Sequence, residues 1–138
     1  MRSLGLDIGE KRIGVAVSDP LGLTAQGLCT IERKSDNQAL SALDGTWETH
    51  RADTIVVGLP LSMDGSESAQ TQKIRNFIKK LQKRFQKRAK IITWDERLST
   101  SGAERALLEA DLSRAKRRQV IDKMAAVFIL QGYLDSQT

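Results

Sequence analysis

Leu4-Gly5-Leu6-Asp7-Ile8-Gly9-Glu10-Lys11-Arg12-Ile13-Gly14-Val15-Ala16-Val17-Ser18 carries two kinds of pattern in one run. Leu4, Leu6 and Ile8 alternate with Gly5, Asp7 and Gly9, a period of two that predicts a strand with its aliphatic face inward and Asp7 on the opposite face. Glu10-Lys11-Arg12 makes a short turn, and Ile13 to Ser18 resumes strand character, so the stretch is a hairpin with a carboxylate near its bend. After the break at Pro20 and Gly22, Ala25 to Ile31 supplies a third antiparallel strand.

Beyond the meander the period changes. Ser35 followed by Gln38 has capping-box form, and Leu40, Leu43 and Trp47 recur at helical spacing, which predicts a helix of about four turns, weakened by Asp44-Gly45. Thr54 to Gly58 is a short aliphatic run of the kind found in a buried parallel strand, and a loop continues from it to Glu67. Ile74, Phe77, Ile78, Leu81 and Phe85 form the clearest helical stripe in the chain. Ala89 to Trp94 reads as another inner strand ending at Asp95-Glu96. Ser101 with Glu104 opens a further helix, facing Ala103, Ala106, Leu107 and Ala110 inward, and a last, mostly buried helix runs from about Val120 to Leu134. This order predicts an α/β fold with a mixed five-stranded sheet flanked by helices on both faces; with neither repeat nor linker, residues 1–138 form a single domain.

The composition narrows the function classes. The chain has 138 residues, 40% of them hydrophobic, enough for one core, and a formal charge of +5. Cys29 is the only cysteine, which excludes an internal disulfide and suits a reducing compartment. The start is too short and too charged for a signal core or membrane span, so the expected location is the cytoplasm, without membrane association. His50 is the single histidine and reads as a surface residue, leaving little material for a zinc site or histidine acid–base chemistry.

Acids stand out by position. Asp7 interrupts a strand, Asp95-Glu96 closes another, and Asp122 sits near the start of an otherwise apolar helix. If the first and fourth strands lie side by side with the last helix over their ends, these carboxylates converge, and mutual repulsion is relieved by hard divalent cations, Mg²⁺ or Mn²⁺. Such ions suit hydrolysis of phosphodiesters. Taken singly, each acid has a structural alternative: Asp7 supporting the bend at Gly9, Asp95 and Glu96 satisfying a helix start, Asp122 as an N-cap.

The cations are segregated. Between Glu67 and Asp95 there is no acid, yet Lys73, Arg75, Lys79, Lys80, Lys83, Arg84, Lys87, Arg88 and Lys90 lie there, mostly off the apolar stripe. Arg114, Lys116, Arg117 and Arg118 form a second, loop-like stretch leading to Asp122. Together with Lys11, Arg12 and Arg97 near the acids, Lys73, Lys80, Arg84, Arg114, Lys116, Arg117 and Arg118 are the candidate contacts to a nucleic-acid backbone. The loop from Gly58 to Gly65 feeds a helix N-terminus that suits a phosphate near Ser66 or Ser68. Aromatic residues are only 4%, which favours recognition of backbone and shape over base stacking. With no apolar stripe left over, a monomer is expected.

Three blocks resemble one family. Gly5 to Asp19 resembles the opening motif of the YqgF, or RuvX, family; Val57-Gly58-Leu59-Pro60-Leu61 with Asp64-Gly65 resembles its central loop, and Asp95-Glu96-Arg97-Leu98-Ser99-Thr100 its acidic motif, while Val120 to Leu134 fits its tail. The resemblance implies a ribonuclease H-like fold with catalytic, metal-binding acids at Asp7, Glu96 and Asp122, and Asp95 as a neighbour of that site that is a further candidate metal ligand. It further implies a bacterial cytosolic nuclease that trims the 5′ end of the 16S ribosomal RNA precursor, acting on RNA or ribosomal precursor particles, with resolution of Holliday junctions in DNA as the alternative. Two other classes compete. The Asp7 to Gly14 segment also resembles the first phosphate loop of actin-like ATPases, which need two such domains, and a non-cleaving RNA-binding module is the non-enzymatic reading.

Overall fold

The computed structural model describes residues 2–98 and 114–137, with the backbone alone at Leu98 and from 114 to 122. Strands β1 (Ser3–Ile8), β2 (Arg12–Ser18) and β3 (Ala25–Glu32) form the meander; α1 (Asp36–His50), β4 (Thr54–Leu59), α2 (Ala69–Phe85) and β5 (Lys90–Asp95) follow, then a 3-10 turn (Glu96–Leu98) and a long helix, α3 (Arg114–Ser136). The sheet order is β3-β2-β1-β4-β5. β1 is antiparallel to β2 and parallel to β4, and β4 is parallel to β5. The mixed five-stranded sheet with helices on both faces is thus as the sequence periods predict; the helix expected from Ser101 lies outside the described residues.

Strand alternation splits the core in two. Leu4, Leu6 and Ile8 of β1 and Ile55, Val57 and Leu59 of β4 face α1 and α2, meeting Leu40, Leu43 and Trp47 on one helix and the whole stripe from Ile74 to Phe85 on the other. Ala16 and Val56 face the other way, toward Ala126, Ile129, Leu130 and Leu134 of α3. Helix α1 starts at Ser35, whose hydroxyl accepts from the Gln38 N–H, and it runs straight through Gly45. Asp44 stays helical because Arg84 of α2 and Arg88 just beyond it hold its carboxylate at 2.6–2.9 Å, and Trp47 one turn on is buried with its indole N–H donating to the Ala52 carbonyl.

One boundary differs from the sequence reading. The Arg114 to Arg118 stretch is not a loop: it is already helical, six residues ahead of the start expected at Val120, because nothing from Arg114 to Val120 is Gly or Pro and Arg, Lys, Ala and Gln are all good helix formers. Apolar period was the wrong signal for that stretch. Asp122 is therefore inside a helix and not its N-cap.

Candidate active site

Asp7 lies on the α3 face of β1, since it shares alternation with Gly5 while Leu6 and Ile8 belong to the other core. Its partner across the hairpin is Gly14, which has no side chain to fill the space beside the carboxylate. On the other side, β1 and β4 are in register up to Leu6 and Val57, so Asp7 and Gly58 are the next residues along the two strands, about 4.8 Å apart by parallel-strand spacing. Glu96 follows β5 immediately in the 3-10 turn, and its carboxyl carbon lies 3.2 Å from where a Cβ on Gly58 would be. Asp7 and Glu96, both half-buried, thus bracket Gly58.

The small residues are what allow this. A Cβ at Gly58 would overlap the Ile129 side chain, and a Cβ at Gly5 would come within 2.7 Å of Leu130 Cβ and 2.9 Å of the Ala126 carbonyl oxygen. Glycine at these positions lets α3 lie on the strands. Gln131 of α3 accepts from the Ala25 N–H, at the end of the sheet where β1 begins, so α3 runs antiparallel to β1. From Ala126 above Gly5, four residues back along the helix is about 6 Å, close to the step of about 6.6 Å from Gly5 to Asp7 along the strand. The backbone of Asp122 is thereby set at the carboxylate end of β1, on the same helical stripe as the buried Ala125, Ala126 and Ile129.

Asp95 is committed elsewhere. Its Oδ2 accepts from Arg97 Nη2 at 2.7 Å and Nε at 3.0 Å, and its Oδ1 from the Arg97 N–H at 3.0 Å. That fork from Arg97 holds the carboxyl below its ordinary range. Arg97 in turn donates through Nη1 to the Met63 carbonyl at 3.1 Å and stands over Gly65, whose φ of 87° puts it in the left-handed region. The β4–α2 loop is thus clasped over the site end, with Met63 exposed at its tip. Ser68 caps α2 in a reciprocal box with Thr71, and Ser66 N–H donates to Asp64, so the Ser68 hydroxyl and the Ser66 amide, near which the sequence suits a phosphate, already have local partners.

The cationic face of α2 and the turn after it are partly neutralised by acids, most of them distant in sequence. Lys80 meets Asp36 at 2.6 Å, Arg84 and Arg88 share Asp44, Arg75 meets Glu67 and Lys73 reaches Glu10 at 3.3 Å. Lys80 and Arg84 therefore tie α2 to α1 as well as facing solvent. Lys11 is exposed at the hairpin tip and Arg12 half-buried behind it. Arg114, Lys116, Arg117 and Arg118 lie on the described backbone of α3, but their side chains are outside the described residues, as is that of Asp122.

The relatives agree with this architecture. Residues 1–136 match the family model described as RuvX, Holliday junction resolvase. The chain belongs to the RuvX family. A Clostridium botulinum protein provisionally named a pre-16S rRNA nuclease is 51% identical over 136 residues, 99% of this chain and 98% of the relative. A protein of the same name from Clostridium tetani is 49% identical, covering 99% and 97%. Among solved structures, the fowlpox virus Holliday junction resolvase superposes with a TM-score of 0.58 at 18% identity, each chain covered in full. Thermus thermophilus RuvC in complex with a Holliday junction substrate gives 0.57 at 11%, covering 99% of this chain and 95% of that one. These two share the ribonuclease H-like fold with the RuvX chain.

Among the described residues no helix is long and apolar enough to cross a membrane. The described carboxylates do not by themselves close a set of three around one point; the proposed third, Asp122, is not among the described side chains.

Proposed function

We propose that this chain is a divalent-metal-dependent nuclease of the bacterial cytoplasm, a single domain over residues 1–138, that hydrolyses phosphodiesters at the 5′ end of the 16S ribosomal RNA precursor. The observation that carries this reading is the placement of Asp7 and Glu96 on either side of Gly58, at a strand end kept open by glycines, in a chain about half identical to proteins named for that activity. Asp7, Glu96 and Asp122 are the acids assigned to the site. Their donor set is all carboxylate oxygen, which fits Mg²⁺ or Mn²⁺ and not a softer ion.

Two carboxylates at one sheet end repel one another once the substrate excludes water, so the site favours cations. When bound, the divalent ions supply the charge that activates a water and offsets the negative charge developing on the phosphate. Asp7 at the end of β1 and Glu96 just past β5 would hold them from either side of β4, and Asp122 would approach from α3. Lys11 and Arg12, just past Asp7, attract the phosphate backbone, while Asp95 keeps Arg97 in place and through it the loop carrying Met63. Asp95 acts in this scheme by positioning. The protein works as a monomer on RNA, free or in precursor particles.

The family description favours one second reading, resolution of four-way DNA junctions. A labelled 5′ fragment of pre-16S RNA and a labelled four-way DNA junction, each incubated with Mg²⁺, Mn²⁺ or EDTA, separate the two. Metal-dependent cutting of the RNA and not of the junction is the expected result; cutting of the junction alone would replace the first reading by the second, and cutting of neither would remove both.

A further inference from the structure

On the α1/α2 side of the same sheet end, a groove of about 580 Å³ opens between the β1–β2 turn, the start of α1 and the exposed side of α2. Only the end of β1 separates it from Asp7, because Ile8, Gly9 and Glu10 line it. Four cations, Arg33, Lys34, Lys73 and Lys80, and two acids, Glu10 and Asp36, face it. The excess is positive.

Those cations divide by what already occupies them. Arg33 donates to Asp36 at 3.1 Å and to the Gly9 carbonyl at 2.8 Å, and its guanidinium lies 4.6 Å from the Phe77 ring centroid. Lys80 meets the other oxygen of Asp36. These two form the wall. Lys34 has no ion-pair partner among the described residues, and Lys73 reaches only Glu10, with the two side chains 68% and 74% exposed, a pair that water and salt readily exchange. Beneath them the floor is apolar, Ile8 and Ile74, and Asn76 stands on the α2 side.

The size selects the ligand. The volume falls within the range of about 300–1,000 Å³ typical of sites for small ligands, which admits a nucleotide or two of a single strand but not a double helix. We infer that this groove holds the unpaired nucleotides next to the phosphate cut at the carboxylates, with Lys34 and Lys73 facing successive phosphates and the two isoleucines beneath the sugars or bases. The inference rests on the nuclease reading and sharpens its substrate class: a strand that is unpaired on one side of the scissile bond, as at the frayed or protruding end of a precursor. Glu10 gives up Lys73 to the incoming phosphate.

Binding in EDTA, where cutting is suppressed, tests the groove separately from the chemistry. The probes are a labelled RNA duplex with blunt ends and the same duplex with a short single-stranded overhang, 5′ or 3′, titrated with the full chain at several salt concentrations. The wild type is expected to bind one of the overhang probes more tightly than the blunt one. Lys34→Gln/Lys73→Gln should abolish that preference, lower the slope of log affinity against log salt by about 1.4 for the overhang probe, at about 0.7 for each single-strand phosphate contact, and weaken binding of the blunt probe less than that of the overhang probe. Asn76→Trp, at an exposed position, should abolish the preference by filling the groove at constant charge, with an unchanged circular dichroism melt as the check on folding. Equal wild-type affinity for blunt and overhang probes would overturn the groove, as would an intact preference in Asn76→Trp or an equal loss on both probes in the lysine variant. Cutting of RNA without any overhang preference removes the groove alone; an overhang preference without cutting in Mg²⁺ or Mn²⁺ removes the nuclease reading and keeps the groove.

Discussion

The face of the sheet under α1 and α2 is closed by large side chains, with Phe77, Phe85, Leu81 and Leu43 fully buried, whereas the buried centre of the face under α3 is alanine and branched aliphatics lying on Gly5 and Gly58, with Trp94 and Tyr133 only partly buried at its side. The first face is also laced by ion pairs from α2 to Asp36 and Asp44 of α1. On the second, the proposed acids share an end of the sheet with backbone brought close. Large residues on one side supply burial, and small residues on the other set distances. A fold divided this way keeps its stability away from the carboxylates, which would otherwise be asked to sit together in a packed core.

That contrast is open to direct attack. Phe77→Ala, on the burying face, should cost about 3–5 kcal/mol in urea unfolding, because a fully buried ring leaves a cavity that the neighbouring strands cannot close; a cost below about 1 kcal/mol would mean the α2 face is not the stabilising one. Gly5→Ala should cost about 1–3 kcal/mol, an overpacking penalty, since its new methyl meets backbone of α3 that cannot rotate away. Gly58→Ala distinguishes the faces best. Its methyl meets the flexible end of Ile129 and the Glu96 carboxyl, so cleavage should fall at least tenfold, about 1.4 kcal/mol in the barrier, while the melting temperature moves by only a few degrees. Unchanged cleavage in Gly58→Ala would show that Glu96 has no fixed place to lose.

The smallest expected effect belongs to the ion pairs. Burial alone would raise the Asp44 carboxyl, but hydrogen bonds from Arg84 and Arg88 more than offset it and hold the group below its ordinary value of 3.8. A lowered folded value stabilises above the unfolded one and is lost as pH falls through the folded one. Asp44→Asn should therefore cost about 0.5–1 kcal/mol at pH 7, and its gap from wild type should close as pH drops below about 3.8. A gap that stays constant to low pH would assign the loss to something other than charge.

What the sequence made legible follows the same division. The stripe from Ile74 to Phe85 and the alternation around Asp7 are one-dimensional signals, and the structure keeps both. Gly58 gave no such signal: in one dimension it only ends a strand, and its use emerges when Ile129 and Glu96 arrive from distant segments. The cationic helix was read as a free surface because Asp36 and Asp44, more than 35 residues before their partners, cannot be paired with them by spacing. Adjacency in sequence does not separate Asp95 from Glu96; the fold-back of Arg97 onto Asp95 does, a contact between near neighbours that depends on the 3-10 turn.

The proposed site is tested most directly by its affinity for the ion. Mn²⁺ titration of the wild type, Asp7→Asn and Glu96→Gln, followed by the electron paramagnetic resonance of free Mn²⁺, should show binding in the wild type that weakens at least tenfold in each variant, alongside loss of RNA cutting and an unchanged fold by circular dichroism. Equal Mn²⁺ affinity and equal cutting in all three proteins would contradict the assignment of these carboxylates to a common metal site.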